Sequence, residues 1–271
     1  MEYTEVTFYE LTDDLRDIMI AVLTDHGFEG FEESGGNLKA FIASSAFKKE
    51  EVDSIAEQYH LKSDTQAIAS QNWNSVWESN FNPVVVGAFC TVRASFHPPA
   101  ENTQYELIIT PKMSFGTGHH ATTFMMIARM EHLDIQNKKV LDYGTGTGVL
   151  ALLAWKMGAA DLLAVDNDSW SIENASENFK MNGADQVKLL QRESAEGLGN
   201  FDIILANITR NVISDNFNFF TTQLTAGGTI LFSGLLEDDE QHILELAETH
   251  KLVFAGKSKR EKWICLEFNK A

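Results

Sequence analysis

The run Leu141-Asp142-Tyr143-Gly144-Thr145-Gly146-Thr147-Gly148 has the plainest chemical purpose in this 271-residue chain. An apolar strand leads into alternating glycines and an apolar helical stretch follows. That order puts the loop at the carboxyl end of a strand and at a helix N-terminus, where open α/β sheets bind ligands. The dinucleotide spacing GxGxxG fails here, because counting from Gly144 the third glycine falls on Val149. A dinucleotide needs close backbone approach to its pyrophosphate at that helix start. A nucleoside with a zwitterionic tail and no phosphate needs only the bare backbone that glycine allows. S-adenosylmethionine is such a ligand. Asp142, just before the loop, is placed to meet the ligand's ammonium directly or through water.

Asp166 closes the next strand, 22 residues beyond Gly144. A carboxylate there accepts hydrogen bonds from both ribose hydroxyls. Its other use, capping the following helix, is already served by Asp168 and Ser169. Glu193 and Ser194, after the third strand, stand where an adenine edge is read. Asn207 ends the fourth strand in Leu205-Ala206-Asn207-Ile208. Its amide can accept a hydrogen bond from an incoming amine and aim the lone pair, or it can cap the helix from Thr209. The residues alone leave both open. Methyl transfer to nitrogen needs a neutral amine aligned about 3 Å from the methyl carbon. A second loop, Ser114-Phe115-Gly116-Thr117-Gly118-His119-His120-Ala121-Thr122-Thr123, precedes a helix over 124–132 and can arch over the cofactor. Adjacent histidines with no carboxylate or cysteine nearby are poor ligand spacing, so no metal is expected.

These residues need a scaffold. From about 139 onward strands and helices alternate: strands over 140–142, 162–166, 187–190, 201–206 and 229–232, with helices over 149–157, 169–181, 209–224 and 238–250. The alternation predicts a parallel sheet covered on both faces. An antiparallel pair, 252–255 and 263–268, closes the chain through a basic turn at 257–262. The first seventy residues read as βαββαβ, the ferredoxin-like pattern, with a hairpin around Gly35-Gly36-Asn37. Between the two lies 71–84, where Trp73, Trp77 and Phe81 fall four apart on one helical face. A linker helix packing this stripe on a neighbouring domain is the preferred reading. Residues 84–95 look β-rich.

Composition bounds the answer. A hydrophobic content of 44% suits a globular protein. No run approaches the roughly 20 apolar residues that span a bilayer. The start lacks the pattern of a secretory signal. Cys90 and Cys265 form no CxxC pair, so a reduced, cytoplasmic protein without a disulfide framework is expected. With 21 basic against 39 acidic residues the formal charge is −18. That disfavours a nucleic acid gripped through its phosphates. It suits a basic partner or, equally, simple solubility.

Taken together, these motifs resemble the PrmA family, the ribosomal protein L11 methyltransferases. The resemblance covers almost the whole chain: Asn72-Trp73-Asn74-Ser75-Val76-Trp77, the loop 115–123, the glycine motif, Ala206-Asn207-Ile208 and Ser233-Gly234-Leu235-Leu236. The second loop and the Ala-Asn-Ile triplet are the specific parts, since many methyltransferases share the glycine loop. The resemblance implies an α/β architecture, a Rossmann-like seven-stranded class I methyltransferase domain behind a small α+β ferredoxin-like domain. Domains are expected at 1–70 (substrate recognition), 71–84 (linker helix) and 85–271 (catalysis). It implies S-adenosylmethionine as cofactor and methylation of lysine side chains and the N-terminal amine of ribosomal protein L11. By matching position, cofactor contacts fall on Thr123, Gly144, Asp166 and Asn207, with Asn207 also facing the acceptor amine. Phe115, Asp142, Gly146 and Gly148 complete the expected cofactor site. The chain departs from the family at Thr110-Pro111-Lys112, Ala121, Thr145 and Thr147. Three alternatives stand beside this reading: a methyltransferase for another protein or a small amine, a nicotinamide dehydrogenase, and a cofactor-binding module without catalysis.

Overall fold

Burial alternates strictly along β1 (Tyr3–Tyr9), with Val6 and Phe8 inward and Glu5 and Thr7 outward. That is the period of a half-buried strand. There follow α1 (Asp13–Asp25), β2 (Gly30–Ser34), β3 (Asn37–Ala43), α2 (Lys49–Gln58) and β4 (Lys62–Ile68). The four strands form one antiparallel sheet in the order β2-β3-β1-β4. This is the ferredoxin-like arrangement. The Thr12 hydroxyl caps α1 by accepting from Leu15 N–H. Met19 and Leu23 on α1 pack against Val6, Phe8 and Leu38 of the sheet. β4 starts earlier than the expected 66–69, because it pairs with all seven residues of β1.

The structure, a computed structural model, describes residues 3–34, 36–68, 81–110 and 116–271. Most of the expected linker helix, with Trp73 and Trp77, lies outside the described residues, as does Phe115. The chain divides into two compact units, Met1–Phe81 and Asn82–Ala271.

The second unit is built on a seven-stranded sheet ordered β10-β9-β8-β11-β12-β14-β13. Its strands are β8 (Lys139–Tyr143), β9 (Asp161–Asp166), β10 (Lys188–Gln191), β11 (Phe201–Asn207), β12 (Leu224–Leu236), β13 (Leu252–Arg260) and β14 (Trp263–Lys270). β8 to β12 run parallel, and β14 inserts antiparallel between β12 and β13. This is the class I methyltransferase fold. Helices α3 (Ala121–Met130), α4 (Val149–Lys156) and α5 (Ser169–Met181) cover one face. Helices α6 (Arg210–Gln223) and α7 (Glu240–Thr249) cover the other, with Phe217, Phe220 and Ile243 buried against Phe232 and Phe268. The strand order reverses between β8 and β11, so the crevice between their carboxyl ends is where a ligand binds. Among the described residues no helix is long and apolar enough to cross a membrane.

Three strands of this unit differ most from expectation. A small sheet of β5 (Val84–Val86), β6 (Cys90–Ala94) and β7 (Tyr105–Ile109) includes a strand that the sequence pattern did not indicate. β7 pairs parallel with β6, and Asn182 at the end of α5 holds the backbone of Ile108 from both sides. β12 spans thirteen residues, not four, running through Gly227-Gly228. β13 extends through the segment expected as a basic turn, because Lys257 and Lys259 are paired with Glu240 and Glu237.

Candidate active site

The glycine loop takes its shape from three left-handed residues, Gly144, Gly146 and Gly148, at φ of 76°, 55° and 80°. At Gly144 a Cβ would also run into the Ile208 side chain. At Gly148, the N-cap of α4, a Cβ would come within 2.5 Å of the Phe179 ring on α5. Alternating glycines thus have separate causes: backbone handedness throughout, close approach to the cavity wall at one end and helix packing at the other. Val165 O fastens the loop by accepting from both Gly144 N and Thr145 N, at 2.8 and 2.9 Å.

Two carboxylates serve this loop from opposite sides. Asp166, at the end of β9, accepts from Gly146 N at 2.9 Å and from Asp168 N at 3.0 Å. It lines a cavity of about 710 Å³. Each of its oxygens keeps a further lone pair for a ligand hydroxyl. Capping α5 falls to Asp168, which accepts from Trp170 N and Ser171 N. Asp142 lies behind the loop, 1% exposed, and its Oδ2 accepts from the Thr145 hydroxyl at 2.6 Å and Ala151 N at 3.0 Å. It is not part of the cavity lining. Oδ2 thus braces loop and helix, while Oδ1 is buried without a hydrogen-bond partner. Burial pushes its carboxyl up to about 7, with the charge of Asp166 adding to that.

The other end of the cavity is organised around Asn207, the last residue of β11. Its Nδ2 donates to Thr123 Oγ1 at 3.1 Å. Its Oδ1 is buried without a hydrogen-bond partner. The capping alternative drops out, since Thr209 occupies the N-cap of α6. An orphaned buried acceptor costs about 1–3 kcal/mol unless something donates to it.

Of the residues singled out by sequence, the cavity collects Gly144, Gly146, Asp166 and Asn207, together with Glu193 and Ser194. Thr123 is wholly buried and stands behind Asn207, while Thr122 beside it lines the cavity. Gly148 is turned toward Phe179, away from the lining. The departures at Thr145 and Thr147 both carry hydrogen bonds: Thr145 holds Asp142, and the Thr147 hydroxyl donates to Gly116 O at 2.7 Å, joining the two loops.

Sequence reasoning placed His120 in a loop arching over the cofactor without a role of its own, and missed Trp263 as a cavity wall. The His120 ring is N-cap of α3, its Nδ1 accepting from Thr122 N, and it meets the Trp263 ring edge-on at 4.7 Å. These residues are 143 positions apart, so no local pattern pairs them. Val212 and Phe219 extend the wall along α6, seven residues apart on one helical face. Among the described residues no group of three or more His, Cys, Asp or Glu is placed to hold a metal ion.

The family profile described as ribosomal protein L11 methyltransferase (PrmA) matches residues 23–271. The chain belongs to this family. A ribosomal protein L11 methyltransferase of Bacteroides fragilis is 34% identical over 279 residues, 99% of each chain. One of Chlorobaculum parvum is 38% identical over 252 residues, 88% of this chain and 86% of that one. The crystal structure of a ribosomal protein L11 methylase from Lactobacillus delbrueckii subsp. bulgaricus superposes with a TM-score of 0.66 at 26% identity. It covers 70% of this chain and 100% of the other. The chain is accordingly a methyltransferase, and the family assignment sets aside the dehydrogenase reading.

Proposed function

We propose that this methyltransferase binds S-adenosylmethionine in the cavity between the glycine loop and Asn207, and methylates lysine side chains and the N-terminal amine of ribosomal protein L11. The observation that carries the reading is Asn207 among the cavity-lining residues, with its Nδ2 tied to Thr123 and its Oδ1 without a hydrogen-bond partner. The residues present fit the cofactor. Asp166 offers acceptor lone pairs to two ribose hydroxyls, Gly144 and Gly146 leave bare backbone for the amino-acid tail, and Glu193 and Ser194 border the place for the base. When bound, S-adenosylmethionine supplies a methyl group on a cationic sulfur.

The protein's own task is to present a neutral, aligned amine. A free lysine titrates near 10.4, so deprotonating it at pH 7 costs about 4.6 kcal/mol at ~1.36 per unit. Asn207 Oδ1 accepts a hydrogen bond from the amine and turns its lone pair toward the methyl carbon. The half-closed cavity, walled by Trp263 and His120, lowers the amine's pKa by partial burial. The chain's own contribution is then a pre-set geometry rather than a moving side chain.

In this reading residues 1–70 recognise the protein substrate, 71–84 link, and 85–271 catalyse. The ferredoxin-like unit carries sixteen acidic and five basic residues over 1–81. That balance suits a basic protein acceptor and disfavours direct contact with nucleic acid. The protein works in the cytoplasm, beside the ribosome, and needs no metal. Tritiated S-adenosylmethionine incubated with this protein, and with ribosomes from a strain lacking it, should label L11. Label confined to another protein or to small amines would replace the substrate, and absence of any label would remove the reading.

A further inference from the structure

Thr147 sits between two glycines of the glycine loop, wholly buried and outside the cavity lining. Its hydroxyl donates to the backbone carbonyl of Gly116 in the second loop, 31 residues away, at 2.7 Å. A carbonyl only accepts, so the direction of this bond is fixed. The two loops are in contact here: a Cβ on Gly116, itself at φ 107°, would lie 3.0 Å from the Thr147 hydroxyl oxygen. The main-chain carbonyl of Thr147 is held from the other side, by Asn178 Nδ2 at 2.8 Å. Asn178 lies on α5, is also wholly buried, and accepts from Thr110 N at 2.7 Å through Oδ1. Backbone partners at both ends therefore set which way its amide points. Asn174, one turn earlier, accepts from the same Nδ2 at 2.9 Å.

We propose that Thr147 and Asn178 are positioning residues for the cofactor, fixing the spacing of the glycine loop and the second loop before the ligand arrives. This rests on the binding of S-adenosylmethionine in the cavity proposed above. The glycine loop brings Gly144 and Gly146 to the cavity, and the second loop brings His120 and Thr122. Neither Thr147 nor Asn178 lines it, so both act through these neighbours. Glycine-rich backbone has more freedom to lose on ordering than any other. Thr147 removes that freedom at the middle of the loop, because one residue is tied to α5 through its carbonyl and to the second loop through its hydroxyl. A ligand spanning both loops then binds a site already in register, with less ordering to be done at binding.

The test compares Thr147→Val, which keeps the branched shape and removes the hydroxyl, with Thr147→Ser, which keeps the hydroxyl. Each is titrated with S-adenosylmethionine by calorimetry well below its Tm, and kcat on L11 is measured at saturating cofactor. Thr147→Val should bind about tenfold more weakly, because only the fraction of molecules with the loops in register is competent. Its kcat at saturation should stay within about threefold, and Thr147→Ser should bind within about threefold of wild type. Asn178→Ala should weaken binding similarly, and adding it to Thr147→Val should cost no more than about twofold further, since both break one link. An unchanged Kd, with only Tm or kcat lowered, would overturn the proposal. So would a Ser variant as weak as the Val variant, or losses that multiply in the double variant. Wild-type protein that binds no S-adenosylmethionine would remove the proposed function and this role with it. Equal binding by wild type and Thr147→Val would remove this role alone. Should the variants not fold, the wild-type protein still decides. The Thr147 hydroxyl proton must exchange slowly with water before cofactor is added, and slow exchange gained only on binding contradicts the proposal.

Discussion

The two ends of the cavity are built on opposite principles. At the end of β8 and β9 the cavity-lining carboxylate and the loop backbone are tied within the protein: Asp166 takes two backbone N–H groups and Val165 O takes two more, while behind the loop Asp142 keeps one oxygen without a partner. At the end of β11, Asn207 is tied on one side only and keeps an orphaned oxygen. A ligand-holding region gains from being rigid before the ligand arrives, because ordering it then costs nothing at binding. A reacting region gains from an unsatisfied group, because the interaction it lacks is made by the incoming amine. On the proposed reading, affinity and rate are stored in different places.

The most severe way to sharpen the contrast is Asn207→Ala. It should lower kcat by about 10²- to 10³-fold, as removal of one pre-aligned polar group does, with cofactor affinity little changed. Steady-state methylation of L11 at saturating cofactor checks this. Next comes Asp166→Ala, which removes hydrogen bonds to a charged group worth about 1.5–3 kcal/mol each. Calorimetry should find S-adenosylmethionine bound roughly 100-fold more weakly, and a wild-type Kd would break the comparison.

A smaller effect is expected for Gly144→Ala, which puts a side chain at φ 76° and against Ile208. Strain of this kind costs about 1–3 kcal/mol, read as a lowered Tm and about tenfold weaker cofactor binding.

The last effect concerns Asp142 and pH, and it is read in stability rather than in activity. Its carboxyl, pushed up to about 7 by burial, keeps a proton that the unfolded chain releases near the usual ~3.9. The folded state therefore loses stability as pH rises from about 4 to about 7, and no more above that. Asn at this position keeps the acceptor for Thr145 and Ala151 and removes the titration. The Tm of Asp142→Asn should fall less than wild type between pH 5 and pH 7.5, whereas parallel curves would show that Asp142 ionises normally.

Legibility in the sequence followed the same divide. The loop end is local: Asp142, the glycines and Asp166 lie within 25 residues, and backbone handedness and strand ends announce them. The reacting end is assembled from residues 120–123, 207 and 263, which only the folded sheet brings together. Helix α3 begins at Ala121, three residues before the expected 124, because the His120 side chain serves as cap. β13 was hidden by its charges, since Lys257 and Lys259 read as a solvated turn until Glu240 and Glu237 pair with them. β7 is only five residues long, and Gly227-Gly228 disguised the first half of β12.

The central claim is that holding the cofactor and presenting the amine are separable tasks of the two ends. The double variant Asn207→Ala/Asp166→Ala measures that directly, through kcat/KM for L11 at limiting cofactor set against the two single variants. Independent ends predict that the two losses multiply, to within about twofold. A double variant no worse than the poorer single one would contradict the account, because both residues would then serve one and the same task.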